Sequence, residues 1–138
     1  MIDWNKRAGL ISKYFTVAEA TFLPSWNIYL NPSEEEKANI ISTAEKMDSI
    51  REILDVPIKV HCWIRPEIYN RAVNGAPKSA HISGLAVDFS CALNCDAVRY
   101  ILTPHLAQLE LRMEDLKGAS WIHIGNDWKH GMRNFFKP

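Results

Sequence analysis

The chain has 138 residues, 47% of them hydrophobic, which is enough to bury the core of one domain but too few for two large domains. Sixteen Lys and Arg residues balance sixteen Asp and Glu residues, so the net charge favours neither nucleic acid nor an anionic membrane as a partner. We therefore expect one domain over residues 1–138 that recognises its partner through a local site.

The first ten residues, MIDWNKRAGL, lack the basic stretch, the apolar stretch and the small-residue cleavage site of a secretory signal peptide. No apolar run in the chain reaches the ~18 residues that a membrane-spanning helix needs. We expect a protein that is made in the cytoplasm without a signal peptide. If it acts outside the membrane, another route must deliver it.

Two helices are predicted in the first part of the chain. Thr16 and Glu19 have the spacing of a capping box, and this short helix is expected to end before Pro24. Ser33 and Glu36 repeat the spacing at the start of a longer helix in NPSEEEKANIISTAEKMDSIREILDVP. Its apolar residues recur at helical spacing and predict a buried stripe of Ile40, Ala44, Met47, Ile50, Ile53 and Leu54.

Two strands flank a short helix in the middle of the chain. Alternation predicts a strand with one buried face of Ile58, Val60, Cys62 and Ile64, and an opposite face of Lys59, His61 and Trp63. The helix PEIYNRAV follows and ends at Asn74-Gly75, a pair that tolerates left-handed backbone geometry. After the loop GAPKSAHISG, a second strand places Leu85, Val87 and Phe89 on one face and Ala86, Asp88 and Ser90 on the other.

The last part of the chain predicts one more helix and two strands. Asp96 is expected to cap a helix through AVRYILTPHLAQL, in which Pro104 kinks or restarts the backbone. LELRMEDLK and SWIHIG then form two strands joined at Gly118. Helices come first and strands mixed with helices follow, which predicts an α+β fold: a small, mainly antiparallel sheet with helices packed on one side.

Three side chains on these elements have the chemistry of a metal site. Asp88 lies on the face of its strand opposite the apolar residues, and His123 lies opposite Ile122 and Ile124 on the last strand. If the two strands are neighbours, the incoming loop can bring His81 beside them. Two imidazoles and one carboxylate on an open face are typical of a catalytic zinc site, which keeps one coordination position open.

The segment RPEIYNRAVNGAPKSAHISGLAVDF resembles the signature of the zinc D-alanyl-D-alanine carboxypeptidase family. This family also includes vancomycin-resistance dipeptidases, phage L-alanyl-D-glutamate endolysins and the zinc-bearing domain of hedgehog. The matching positions are Arg65 and Asn70, then Ser79, His81, Gly84, Ala86 and Asp88, and finally Trp121 and His123. The likeness covers roughly residues 15 to 125.

The resemblance implies a hedgehog-like or DD-peptidase-like fold and a zinc ion held by His81, Asp88 and His123. It also implies that Arg65 holds the substrate carbonyl or a carboxylate near the metal, where its paired donors can stabilise an oxyanion. A surface salt bridge is the alternative role for Arg65. Ser79 is expected to tie the metal loop rather than to act as a nucleophile, because the sequence offers it no histidine and acid partners.

The sequence departs from the family at the residue that moves protons during hydrolysis. Many relatives carry Asp or Glu three residues before the last histidine ligand, whereas this chain has Ser120. Glu114 and Asp115 are the nearest upstream carboxylates, and either can serve only if the hairpin at Gly118 folds it back. A solvated strand end is the alternative for both. His105 and His130 are weaker candidates.

The cysteines offer a competing metal site. Cys91 and Cys95 are separated by three residues and Cys62 is a third thiol, but the spacing differs from that of a zinc ribbon. Buried or half-buried free thiols are the favoured interpretation.

Two functions follow from these observations. The first is a zinc peptidase that cuts short peptidoglycan stem peptides at the cell wall, of the D-Ala-D-Ala carboxypeptidase or L-Ala-D-Glu endopeptidase type. Its partner is the peptidoglycan peptide, with no nucleic acid and no membrane, and phage delivery would fit the missing signal peptide. The second is a non-catalytic zinc module that binds the wall or other virion proteins, and Ser120 is the argument for it.

Overall fold

The N-terminal part of the chain forms two helices that begin where the capping boxes predict. The computed structural model describes residues 1–114 and 118–136, and it contains α1 at Val17–Thr21 and α2 at Glu34–Leu54. At the start of each helix, the hydroxyl of the N-cap residue accepts a hydrogen bond from the backbone of a glutamate three residues later. The glutamate carboxylate accepts one in return from the N-cap backbone N–H.

Between these helices lies a small antiparallel hairpin that was not predicted. It consists of β1 (Phe22–Leu23) and β2 (Ile28–Tyr29). A 3₁₀ turn at Pro24–Trp26 joins the two strands and ends at Asn27, which has left-handed geometry with φ 50°. The strands are two residues long, too short to show a period-two pattern, so the sequence carried little signal for them.

A five-stranded sheet forms the rest of the scaffold, and α3 lies between its first two strands in the chain. In chain order the elements are β3 (Ile58–Cys62), α3 (Glu67–Ala72), β4 (Ala86–Cys91), α4 (Cys95–Leu102), α5 (Leu106–Leu109), β5 (Arg112–Glu114), β6 (Ile122–Gly125) and β7 (Phe135–Phe136). The spatial order of the strands is β3-β4-β6-β5-β7, and only the pair β5 and β7 is parallel. The predicted α+β fold with a mainly antiparallel sheet is confirmed.

Helices α1, α2, α4 and α5, which contribute to the apolar core, pack against one face of this sheet. The predicted stripe on α2 is buried at Ile40, Ala44, Met47, Ile50 and Leu54, with Ile53 partly buried beside it. These side chains share one apolar cluster with the buried residues of β4 and β6, Val87, Phe89, Ile122 and Ile124. The opposite face of β4 and β6 therefore carries the polar side chains. Within the described residues, none of the helices combines the length and the apolar character required to cross a bilayer.

The predicted face assignment at the end of β3 is wrong. The pairing of β3 with β4 shifts register between Val60 and Cys62, which marks a β-bulge at His61. An extra residue in a strand inverts the faces that follow it. As a result Trp63, expected on the polar face, is only 1% exposed and packs edge-on against Phe15, with ring centroids 5.8 Å apart.

The start of α4 also differs from the prediction. Asn94, not Asp96, is the N-cap residue, and its side chain accepts a hydrogen bond from the backbone N–H of Ala97 at 2.8 Å. Asp96 lies in the first turn, where its charge favours the positive end of the helix dipole. The restart at Pro104 is confirmed, since a 3₁₀ turn at Thr103–His105 separates α4 from α5.

Candidate metal centre

The structure brings together the three side chains that were predicted to bind a metal. β4 and β6 pair with Asp88 directly opposite His123. The Oδ1 atom of Asp88 is 2.7 Å from Nδ1 of His123, and its Oδ2 atom is 3.2 Å from Nε2 of His81. The centroids of the two imidazole rings are 4.9 Å apart. Asp88 therefore lies between the two histidines, with one oxygen directed at each.

The orientation of His81 is set by a hydrogen bond on the far side of its ring. Nδ1 is 2.7 Å from the carbonyl oxygen of Trp63, and a carbonyl can only accept, so Nδ1 carries the proton. His81 is 1% exposed, and its Nε2 atom is buried without a hydrogen-bond partner. A metal-binding histidine characteristically donates its second N–H to a carbonyl or carboxylate, and His81 has that arrangement.

The loop that carries His81 is fastened to α2 and to Trp63. Ser79 caps a 3₁₀ turn at Ala80–Ser83, as expected of a residue that ties the loop. Asn39 on α2 donates to the carbonyl of Ser83 at 3.0 Å, and the indole N–H of Trp63 donates to the carbonyl of Gly84 at 3.1 Å. The cap and these two bonds fix the backbone at His81 and just after it, so the ring is held before any ligand binds.

Cys62 lies beside this cluster, and it was not predicted there. Its Sγ atom, a ring nitrogen of His81 and a carboxylate oxygen of Asp88 all lie within 4.8 Å of one another. In the pairing of β3 with β4, Cys62 is directly opposite Asp88. This is the only group in the described residues whose donor atoms are all that close together: His123, which contacts Asp88 from the other side, is outside it, and so are Cys91 and Cys95, so the proposed thiol site is absent from that part of the chain. All three cysteines are free thiols.

Two acidic groups and one thiol at the centre have shifted pKa values. Burial alone would raise the pKa of Asp88, but the hydrogen bond with His123 and the contact with His81 outweigh it and hold this pKa well below its ordinary value. Burial, together with the charge of Asp88, raises the pKa of the Cys62 thiol to about 11. Burial also raises the pKa of Glu114.

The cluster opens into a cavity of about 570 Å³. Its lining includes the predicted residues Arg65, Ser79, His81, Asp88, Glu114, Trp121 and His123, together with Lys78, Arg112, Asp127 and Phe136, which were not predicted. Arg112 forms an ion pair with Asp127 at 3.1 Å and lies over the ring of Phe136. Arg112 and Glu114 alternate along β5, so a period-two reading of the predicted strand would have placed them on one face.

Arg65 lines the cavity and does not form the surface salt bridge that was its alternative role. Among residues 1–114 and 118–136 it has no ion pair, and its Nη2 group donates to the hydroxyl of Ser79 at 3.1 Å. Its Nε atom is buried without a partner. Asn70, the other upstream residue of the motif, is buried and donates to the carbonyl of Ala76 at 2.8 Å, so it shapes the loop.

Of the two predicted proton carriers, the structure describes only Glu114. Its side chain is 6% exposed and lines the cavity, and Oε1 is 3.6 Å from the Nη2 group of Arg99. Asp115 lies outside the described residues. Ser120, at the position where many relatives have an acid, is exposed, and neither His105 nor His130 lines the cavity.

The donor set and its surroundings define an α+β protein with a site suited to a metal such as zinc. Two imidazoles and a carboxylate are ligand types that zinc takes, and the unpartnered Nε2 of His81 fits a position occupied by a cation. The profile of the Peptidase M15 family matches residues 13–124, which is more than half of the chain. The chain therefore belongs to the Peptidase M15 family, whose peptidases are zinc-dependent. No curated protein and no solved structure matches the chain significantly.

Proposed function

We propose that this protein is a zinc peptidase that cuts short stem peptides of bacterial peptidoglycan at the cell wall. The single observation that carries the proposal is the convergence of His81, Asp88 and His123 at a cavity, in a chain of the Peptidase M15 family. His81, Asp88 and His123 would hold the zinc ion. When bound, zinc would polarise the scissile carbonyl and activate water.

Two cations in the cavity lining support an anionic peptide as the substrate. Arg65 and Lys78 line the cavity, and neither has an ion-pair partner among the residues that the structure describes. Stem peptides carry a terminal carboxylate and a D-glutamate carboxylate, which such cations can bind. Arg65 would bind the substrate carbonyl or a carboxylate through its guanidinium.

Glu114 is the residue that we propose as the proton carrier. It would replace the acid that many relatives have at the position of Ser120, because it reaches the cavity of the predicted ligands from β5, the strand next to β6. Its pKa is raised by burial while that of Asp88 is lowered by the two histidines. Asp88, with its lowered pKa, would stay charged and bind the cation. Glu114, with its raised pKa, would take up and release the proton.

Peptide release from purified peptidoglycan tests the proposal. The wild-type protein with zinc should release soluble stem-peptide fragments or free D-alanine, whereas His81→Ala should release neither above background. His105→Ala is the matched control, since His105 lies outside the cavity, and it should behave like wild type. A new D-glutamate N-terminus would indicate an L-Ala-D-Glu endopeptidase, and free D-alanine a carboxypeptidase. Equal release by wild type and His81→Ala would support the non-catalytic module instead.

A further inference from the structure

Cys62 is the one thiol that lies within reach of the predicted metal ligands, and its position suggests a role in the centre. We propose that the Cys62 thiolate is a fourth protein ligand of the metal, and that it closes the coordination position that hydrolysis requires. This inference rests on the proposed zinc centre and concerns whether its fourth coordination position is open to substrate.

The distances among the three donor atoms fit a shared cation. In a tetrahedral zinc site, ligand atoms are separated by about 3.5 Å, given bonds of about 2.0 to 2.3 Å to nitrogen, oxygen and sulfur. Nε2 of His81 and Oδ2 of Asp88 are 3.2 Å apart, and Sγ of Cys62 lies within 4.8 Å of both residues' donor atoms. The three atoms are therefore close enough together for one ion to be shared among them.

An independent observation indicates that a ligand belongs at this point. His81 is almost completely buried, and its Nε2 atom lies 3.2 Å from Oδ2 of Asp88 without a hydrogen bond, because the ring proton is on Nδ1 and both facing atoms are acceptors. A buried polar atom without a partner destabilises a folded protein unless something satisfies it. Coordination to a cation shared with Asp88 and Cys62 would satisfy it.

The backbone explains why this cysteine reaches the centre. Residues directly opposite each other on paired antiparallel strands project on the same face of the sheet, and Cys62 is opposite Asp88. The bulge just before Cys62 sets that register. Cys91 is opposite Ile58, near the other end of the same strand pair, and Cys95 begins α4. Neither belongs to the cluster in the described residues.

Whether Cys62 binds the metal decides whether the fourth coordination position is closed or open. Four protein ligands are typical of structural zinc, whereas catalytic zinc has three and keeps one position open. When the metal binds, the S–H bond of Cys62 breaks, its proton leaves to solvent, and a sulfur–metal bond forms. Exchange of the thiolate for water or for the substrate reopens the position. No oxidant or reductant is needed.

Cobalt(II) in place of zinc tests the ligand directly. Metal-free protein loaded with one cobalt ion per chain should show a near-ultraviolet thiolate-to-cobalt charge-transfer band. The band should be absent in Cys62→Ser and retained in Cys91→Ser and Cys95→Ser, which are the matched controls. Wild-type protein that binds cobalt without this band, or a band that persists in Cys62→Ser, would overturn the inference.

Hydrolysis rates test this inference separately from the proposed function. Zinc-loaded Cys62→Ser should cut stem peptides severalfold faster than wild type, because its fourth position stays open. A rate at or below that of wild type would overturn the closing role. If wild type cuts peptides but binds cobalt without the thiolate band, the peptidase proposal is kept and the ligand role of Cys62 is rejected. Failure to bind either metal would overturn both.

Discussion

Two carboxylates that line one cavity, Asp88 and Glu114, have different surroundings, and this difference supports the roles proposed for them. Asp88 accepts a hydrogen bond from His123 at 2.7 Å and lies beside His81, so its charged form is favoured. Around Glu114, Nη2 of Arg99 is 3.6 Å from the carboxylate, and burial outweighs the favourable effects of His123 and Arg99 and raises the Glu114 pKa. A carboxyl group of raised pKa can give up and regain a proton near neutral pH more readily than an ordinary one.

Replacing Glu114 with glutamine should therefore slow hydrolysis without loss of the metal. The amide has nearly the same shape but cannot carry the proton, so we expect turnover of the stem peptide to fall by about 10²- to 10⁴-fold. The measurement is the initial rate of peptide release by zinc-loaded protein, together with zinc content by elemental analysis.

Two further variants make the Glu114 experiment decisive. Glu45→Gln makes the same change on the exposed surface of α2 and should retain the full rate. Asp115→Asn tests the other predicted candidate. If Glu114→Gln hydrolyses the peptide at the wild-type rate while Asp115→Asn does not, Asp115 is the proton carrier and the assignment of Glu114 is wrong.

At the scale of elements, the position of His81 depends on how its loop packs against α2. Gly84 follows the 3₁₀ turn with φ +80°, a left-handed conformation that is unfavourable for residues with a Cβ atom. A Cβ atom at Gly84 would lie 2.9 Å from Cγ1 of Ile40, which is itself buried in the core. The glycine thus permits both the turn and the close contact between loop and helix.

Gly84→Ala should destabilise the protein through both effects. We expect about 1 to 2 kcal/mol from the left-handed backbone and a further 1 to 3 kcal/mol from overpacking against Ile40. Urea unfolding measures the loss. Gly131→Ala is the matched control, because its φ is +88° but nothing lies within 4 Å of a Cβ atom there. Equal losses in the two variants would show that the contact with Ile40 has no energetic effect.

At the scale of the whole molecule, the candidate centre joins parts of the chain that are distant in sequence. Asp88 lies on β4 and His123 on β6, while His81 lies on a loop bound to α2 through Asn39. The side chain of Asn126, just after β6, donates to Ser42 and Thr43 on α2 at 3.1 Å. One face of α2 therefore supports both the loop and the end of β6. A metal ion bound at the centre would connect this loop with β4 and β6.

Zinc should accordingly stabilise the folded protein as a whole. A ligand that binds only the native state adds about 2.7 kcal/mol when its free concentration is 100 times Kd, and the unfolded chain lacks the assembled site. Thermal unfolding with and without zinc should show a higher Tm in the metal-loaded protein, and a chelator should reverse the gain. Asp88→Asn should show little or no gain, and a gain equal to that of wild type would contradict a site at Asp88.

Local patterns in the sequence were enough to predict most of the scaffold and part of the site. The capping boxes at Thr16 and Ser33, the stripe on α2 and the alternation in β4 and β6 each arise from neighbours a few residues apart. Such patterns report which face of an element is apolar, and they therefore placed Asp88 and His123 on a shared polar face. The resemblance of the motifs to a zinc peptidase family is confirmed by the match to Peptidase M15.

Only the tertiary structure decided which side chains meet. The bulge in β3, set by its register with β4, puts Trp63 in the core and Cys62 beside Asp88, and no local pattern signals that shift. The pairing of β5 with β6 likewise brings Glu114 to the cavity. Strand register depends on contacts between residues that are far apart in the chain, so the sequence determined the elements and their polar faces, while the fold determined the composition of the centre.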